Sequence, residues 1–367
     1  MTGPVVALAT DIGRLPAYRL DLGEDDRARV DRLLNGLVVS LHDHPVRLPD
    51  PLNAATWQAH TRAGTDQLGE AGLCAGRLDA VLASALAGDE LDRLVAWAGA
   101  LRAGLDRSSD VAAATRWVDA AADPRPSVFL ALEDLGAIGT DLAGLDALHS
   151  AGYRAAGLAY NTGNPLAGGL GQATDPGLSP LGRRAIRRME ELGIVVDVAH
   201  TGDRSSLDAA ESATAPVMIS HAGARALWPS SRMKPDDVLR AVASTGGVIG
   251  VEAAPGSTRV DGRADHDLDA VMAHVEYLAD LVGVEHVGLG PDTFFGDHAG
   301  LYSAAGWHPT PVPGHEDIPL PAFVAGMENP SEAPHNAAAW LVAHGWADDD
   351  IARVLGGNAA RLLEAVL

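Results

Sequence analysis

Two neighbouring stretches of this chain stop on a histidine after a short apolar run: Ile194-Val-Val-Asp-Val-Ala-His200 and Pro216-Val-Met-Ile-Ser-His221. Short runs rich in valine and isoleucine predict buried parallel strands. Comparable runs begin near residues 37, 74, 127, 154, 194, 216, 247 and 286, with helical patterns between most of them. Strand and helix alternating about eight times imply a parallel sheet, and eight strands predict a closed (β/α)8 TIM barrel. No Gly-x-Gly-x-x-Gly follows the first strand, which weighs against a doubly wound nucleotide-binding sheet. Residues 1–367 are read as one barrel domain. It has an N-terminal helix over 24–36, an irregular insertion at 296–325, and C-terminal helices over 334–344 and 348–366.

In such a barrel the residues at the carboxyl ends of the strands converge on one face. Leu37 to Leu41 runs into His42-Asp43-His44, and period two sets both imidazoles on one face. Ser127 to Leu132 is followed by Glu133, Tyr153 to Ala159 by Tyr160, and His286 to Gly290 by Pro291-Asp292. The strand ends are therefore His42, His44, Glu133, Tyr160, His200, His221 and Asp292. Imidazoles and carboxylates are zinc ligands, but one catalytic zinc takes about three protein groups. The set suits two ions that share a bridging carboxylate and a bridging hydroxide, and Glu133 has two oxygens to share. Residues 50–125 carry no comparable chemistry. A second strand with a helical continuation is read in Leu73 to Ser84, a helix in Asp89 to Leu105, and Trp97 and Trp117 as packing residues.

Composition excludes some partners. A formal net charge of −22 argues against nucleic acid and anionic membranes, both of which need basic patches. One cysteine, Cys74, rules out an intrachain disulfide. The first residues have no basic segment ahead of a signal-length apolar run, and no stretch reaches the ~18 apolar residues of a membrane span. The expectation is a cytoplasmic protein acting on a small molecule.

Several longer stretches carry a family resemblance: Val196-Asp-Val-Ala-His200, Ala215-Pro-Val-Met-Ile-Ser-His221, Arg232-Met-Lys-Pro-Asp-Asp-Val-Leu239 and His286-Val-Gly-Leu-Gly-Pro-Asp292. Asp175-Pro-Gly-Leu-Ser179 and Gly326-Met-Glu-Asn-Pro-Ser-Glu332 add to it. From about residue 30 onward the chain resembles the renal (membrane) dipeptidase family, peptidase family M19, of the amidohydrolase superfamily. The resemblance implies a barrel of the metal-dependent hydrolase type and a zinc-dependent dipeptidase that attacks with a metal-bridging hydroxide. It implies that His42 and His44 bind one Zn2+, His200 and His221 a second, and that Glu133 bridges them. Asp292 would bind near the first ion and act as catalytic acid and base. Tyr160 and Arg232 would contact substrate, Arg232 at its carboxylate end. A homodimer is implied by the family alone.

The chain departs from the family pattern twice. The family's first motif usually reads His-x-Asp where this chain has His42-Asp43-His44, and its well-studied members carry a histidine where Tyr160 stands. An imidazole in place of a carboxylate makes the first metal site more positive, and a phenol differs in reach. These changes keep another activity open at the same binuclear site: hydrolysis of an N-acyl amino acid, a lactone or a cyclic amide. A metal-binding protein without turnover is the remaining alternative, and Asp292 argues against it. Superfamily members often bridge their metals through a carbamylated lysine. The only lysine here, Lys234, follows no strand end, which leaves Glu133 as the bridge.

Overall fold

The computed structural model describes residues 7–11, 20–63, 67–85, 90–307, 312, 314–315 and 317–367. Its strands are β1 (Val39–Asp43), β2 (Ala80–Ser84), β3 (Ala112–Ala113), β4 (Ser127–Leu132), β5 (Tyr153–Gly157), β6 (Val195–Asp197), β7 (Met218–Ala222), β8 (Val248–Val251) and β9 (Val287–Leu289). All pair in parallel. Two contacts close the ring: Ser40 of β1 opposite Leu289 of β9, and β2 along β4 from Ala80↔Ser127 to Ser84↔Ala131. The two-residue β3 hangs on β4 outside that ring, so eight strands form a closed (β/α)8 barrel.

Alternation along the strands builds two apolar layers. Val39, Leu41, Leu82, Phe129, Val195 and Met218 belong to one cluster, which the C-terminal residues Leu362 and Leu363 join. Intervening residues such as Val81, Val128, Leu130 and Ile249 pack with the surrounding helices in a second. Burying each such side chain contributes about 1.5–3 kcal/mol. The helix Pro180–Leu192 shows how local sequence sets an element. Ser179 Oγ accepts from the Gly182 N–H at 3.0 Å, Pro180 opens the first turn, and Gly193 ends it at φ 68°.

Three readings change. The stretch 73–84 has its order reversed: the helix Glu70–Ala75 comes first and the strand starts at Ala80. Leu73 of that helix packs in the outer layer, while Ala80 and Leu82 line the inner one. The segment 296–325 contains a helix, His298–Ala305, capped by Asp297, which accepts from the Gly300 N–H. Residues 308–311, 313 and 316 of it lie outside the described residues. The C-terminal helix continues through a π turn at Arg353–Gly357, where Gly356 sits against the Leu37 carbonyl beside β1. A Cβ on Gly356 would come within 2.5 Å of that oxygen. Among the described residues, no helix is long and apolar enough to cross a membrane.

Candidate metal centre

The site lies where the strands end. A register shift between Ser40 and Asp43 interrupts the alternation of β1, and such a bulge re-aims the side chains that follow it. His42 and His44 both enter the centre, their rings edge to face at 5.0 Å. Asp43 between them turns aside as a brace. Its Oδ1 accepts from the Thr293 N–H at 2.9 Å and the Thr293 hydroxyl at 2.7 Å, and its Oδ2 accepts from Ser40 Oγ at 2.6 Å. This ties the end of β1 to the segment that carries Asp292. Asp292 itself has φ 57°, the left-handed region that a side chain other than glycine rarely adopts. Gly250 and Gly290 bring β8 and β9 close to the Ser220 carbonyl, which a Cβ at either position would meet at 2.0 or 1.9 Å.

Glu133 stands in the middle with its two oxygens divided. Oε1 lies 3.4 Å from His44 Nε2 and 3.9 Å from His42 Nε2. Oε2 lies 3.4 Å from His200 Nε2 and 3.8 Å from His221 Nε2. Asp292 Oδ1 is 3.3 Å from His44 Nε2 and 3.5 Å from His42 Nε2. Three ligand sets result, each with its atoms within 4.8 Å of one another: His42, His44 and Glu133; His42, His221 and Asp292; and Glu133, His200 and His221.

Hydrogen bonds behind the rings fix what each imidazole offers. Ser220 Oγ donates to Asp197 Oδ2 at 2.5 Å, so at 2.7 Å it accepts from His221 Nδ1–H. His200 Nδ1 donates to Asn161 Oδ1 at 3.1 Å, and His44 Nδ1 donates to the Ser84 carbonyl at 3.2 Å. Each ring therefore turns a bare Nε2 inward. Burial, then the Arg232 charge, holds His200 far below its ordinary pKa; burial, then His42, does so for His221. Burial opposes charging His42, but Asp292 and Glu133 raise it to about 9. Burial alone would raise Asp292; His42 and His44 outweigh it and hold the carboxyl well below its usual range. Among the described residues, His42 Nε2 is nevertheless buried with no hydrogen-bond partner. The bare Nε2 atoms of His44, His200 and His221, converging on two carboxylates, fit divalent cations better than they fit one another.

All six predicted ligands meet here. Tyr160 is present too, its ring stacked on His200 at 4.0 Å and 19°. Desolvation, then the Glu133 and Asp292 carboxylates, push its phenol well above the usual value, so it remains a donor. Arg232 reaches the site but is already engaged. It pairs with Glu252, donates to the His221 carbonyl at 2.8 Å and to the Ala199 carbonyl at 3.3 Å. Burial pushes the Glu252 carboxyl up to about 7, against the pull of Arg232. Lys234 is buried behind His200, donating to the Thr201 carbonyl.

Sequence reasoning missed Glu252, Asn161, Ser220 and Ser84, whose hydroxyl donates to Glu133 Oε1 at 3.1 Å. Glu252 directly follows β8, and the strand-end rule that singled out Glu133 applies to it equally.

Residues 52–302 match the family model for membrane dipeptidases, peptidase family M19. A protein from the pqqA 5′ region of Klebsiella pneumoniae is 36% identical over 167 residues, 43% of this chain and 62% of that one. The dipeptidase tcpJ of Claviceps purpurea is 29% identical over 239 residues, 64% of this chain and 49% of its own. The chain thus spans 49% to 62% of the length of these curated relatives. A Rhodobacter sphaeroides metallo peptidase, solved with a phosphinate mimic of L-Ala-D-Ala, superposes with a TM-score of 0.70 at 21% identity, covering 90% of this chain and 99% of that one. The family match takes in Glu133, Tyr160, His200, His221, Arg232 and Asp292 and begins after His42-Asp43-His44. With more than half its length inside that match, the chain belongs to the membrane dipeptidase family, peptidase family M19.

Proposed function

We propose that this chain is a metal-dependent hydrolase that cleaves the amide bond of a dipeptide at a binuclear zinc centre. The observation that carries this reading is the division of Glu133, with Oε1 3.4 Å from His44 Nε2 and Oε2 3.4 Å from His200 Nε2. One carboxylate shared by two imidazole pairs exceeds the needs of a single catalytic zinc and suits two. Bound there, the ions supply an activated water and polarise the scissile carbonyl.

The side chains do the rest. Asp292, ionised between His42 and His44, takes the proton of the attacking water and returns it to the leaving amine. Tyr160 keeps its proton and donates a hydrogen bond to the oxygen on which charge develops. The imidazole donors are held in register by Asn161, Ser220 and the Ser84 carbonyl. Arg232 stands at the C-terminal end of the substrate. The Claviceps relative named a dipeptidase and the Rhodobacter neighbour holding a dipeptide mimic support the substrate class.

A second reading keeps the centre and changes the substrate to an N-acyl amino acid, a lactone or a cyclic amide. The engagement of Arg232 by Glu252 favours its lactone and cyclic-amide members, which need no carboxylate grip. Amine release from a panel of L,L and L,D dipeptides by zinc-loaded protein, beside Asp292→Asn, separates the two. Turnover that falls by at least about a hundredfold in the variant supports the first. No turnover of any dipeptide, with both metals bound, gives way to the second.

A further inference from the structure

Arg232 and Glu252 come from different loops and meet out of water. Glu252 is fully buried at the end of β8, and Arg232 is 9% exposed in the segment after β7. Glu252 is also anchored through its backbone, its N–H donating to the Ala222 carbonyl at 3.0 Å and its carbonyl accepting from Thr258 Oγ1 at 2.8 Å.

A guanidinium can grip a carboxylate in two-point fashion along two edges, Nη1 with Nη2 or Nε with Nη2. The third edge is blocked by its own Cδ. Both edges need a hydrogen of Nη2. Here Nη2 donates to Glu252 Oε2 and to the His221 carbonyl, so both its hydrogens are committed. A substrate carboxylate gains the two-point grip only if Glu252 leaves. If Glu252 stays, an incoming carboxylate faces a second buried anion, which low-dielectric surroundings make costly. Among the described residues, Glu252 Oε1 is buried with no hydrogen-bond partner, the nearby Ser257 hydroxyl donating to the Ala254 carbonyl at 2.6 Å instead. An N–H can use that acceptor; a carboxylate cannot.

We propose that Glu252 is a specificity-determining residue: by occupying Arg232 it makes this end of the site accept an uncharged amide terminus in preference to the free carboxylate of an ordinary dipeptide. The proposal rests on the reading above that Arg232 faces the substrate's C-terminal end. It does not require that the bond cleaved be a peptide bond.

Binding tests it without turnover. Metal-loaded protein at pH 8 is titrated calorimetrically with a phosphinate dipeptide analogue bearing a free C-terminal carboxylate, and with the same analogue as its carboxamide. Wild type should bind the carboxamide at least as tightly as the carboxylate, and Glu252→Gln should shift the ratio toward the carboxylate by about tenfold or more. Arg232→Met should abolish the shift when combined with Glu252→Gln. A wild-type preference for the carboxylate of about tenfold overturns the proposal with no variant needed. So does a folded Glu252→Gln protein with an unchanged ratio. Absence of dipeptide turnover with the predicted ratios intact would remove the dipeptidase reading and leave this one standing.

Discussion

His200 and His221 face each other Nε2 to Nε2 across 3.0 Å, and each ring has its Nδ1 engaged elsewhere. Two lone pairs at that distance repel, and burial keeps both rings from taking a proton to relieve it. A cation between them removes the conflict. Protein stripped with a chelator should therefore melt several degrees below protein reloaded with zinc, since a ligand at a hundred times its Kd adds about 2.7 kcal/mol. Differential scanning calorimetry measures this, and superimposable melts would contradict it.

Among the described residues, Asn161 reaches the centre through His200, by the 3.1 Å bond to Nδ1. Removing such an outer partner typically weakens metal binding by about 10–100-fold. Asn161→Ala should lose zinc to a competing chelator at correspondingly lower chelator concentration while keeping its circular dichroism spectrum. Wild-type affinity in the variant would mean that the ring is oriented by packing instead.

The loop that carries Glu252 is pinned by two neutral histidines. His274 Nδ1 accepts from the Ala224 N–H at 2.9 Å and its Nε2 donates to the Arg259 carbonyl at 2.8 Å. His266 Nδ1 accepts from the Gly256 N–H at 3.1 Å. Burial first of all lowers His274 to about 4 and His266 to about 3. The unfolded chain then binds more protons than the native one below the ordinary value of 6.5. Stability contributed by these groups is full above that pH and is lost as pH falls toward their folded values. The loss is on the order of a few kcal/mol for each. His274→Gln should show a shallower fall in Tm between about pH 6.5 and 4 than wild type, and parallel curves would refute the assignment.

The barrel and the clustering of the candidate ligands were legible because both follow from one rule, that apolar runs of strand length end at a common face. That rule found His200, His221 and Asp292 from their own segments. It misplaced the second strand because Leu73 to Ala75 and Leu78 to Ala83 are two short, mostly apolar runs split only by Gly76-Arg77, so helix and strand differ little in pattern there. The pairing of Arg232 with Glu252 could not be read from either segment. Its members stand 20 residues apart on separate loops, and only the closure of β7 against β8 brings them together. The same holds for Asn161 behind His200, which depends on the path of a loop with no periodicity to reveal it.

The most direct test of the account is metal content per chain, by plasma mass spectrometry after zinc loading and desalting, in wild type and Glu133→Gln. Glu133 bridging two imidazole pairs predicts two zinc ions in the wild type, the loss of at least one in the variant, and hydrolysis lost with it. One ion per chain in the wild type, or two retained with full activity in Glu133→Gln, would contradict the binuclear assignment.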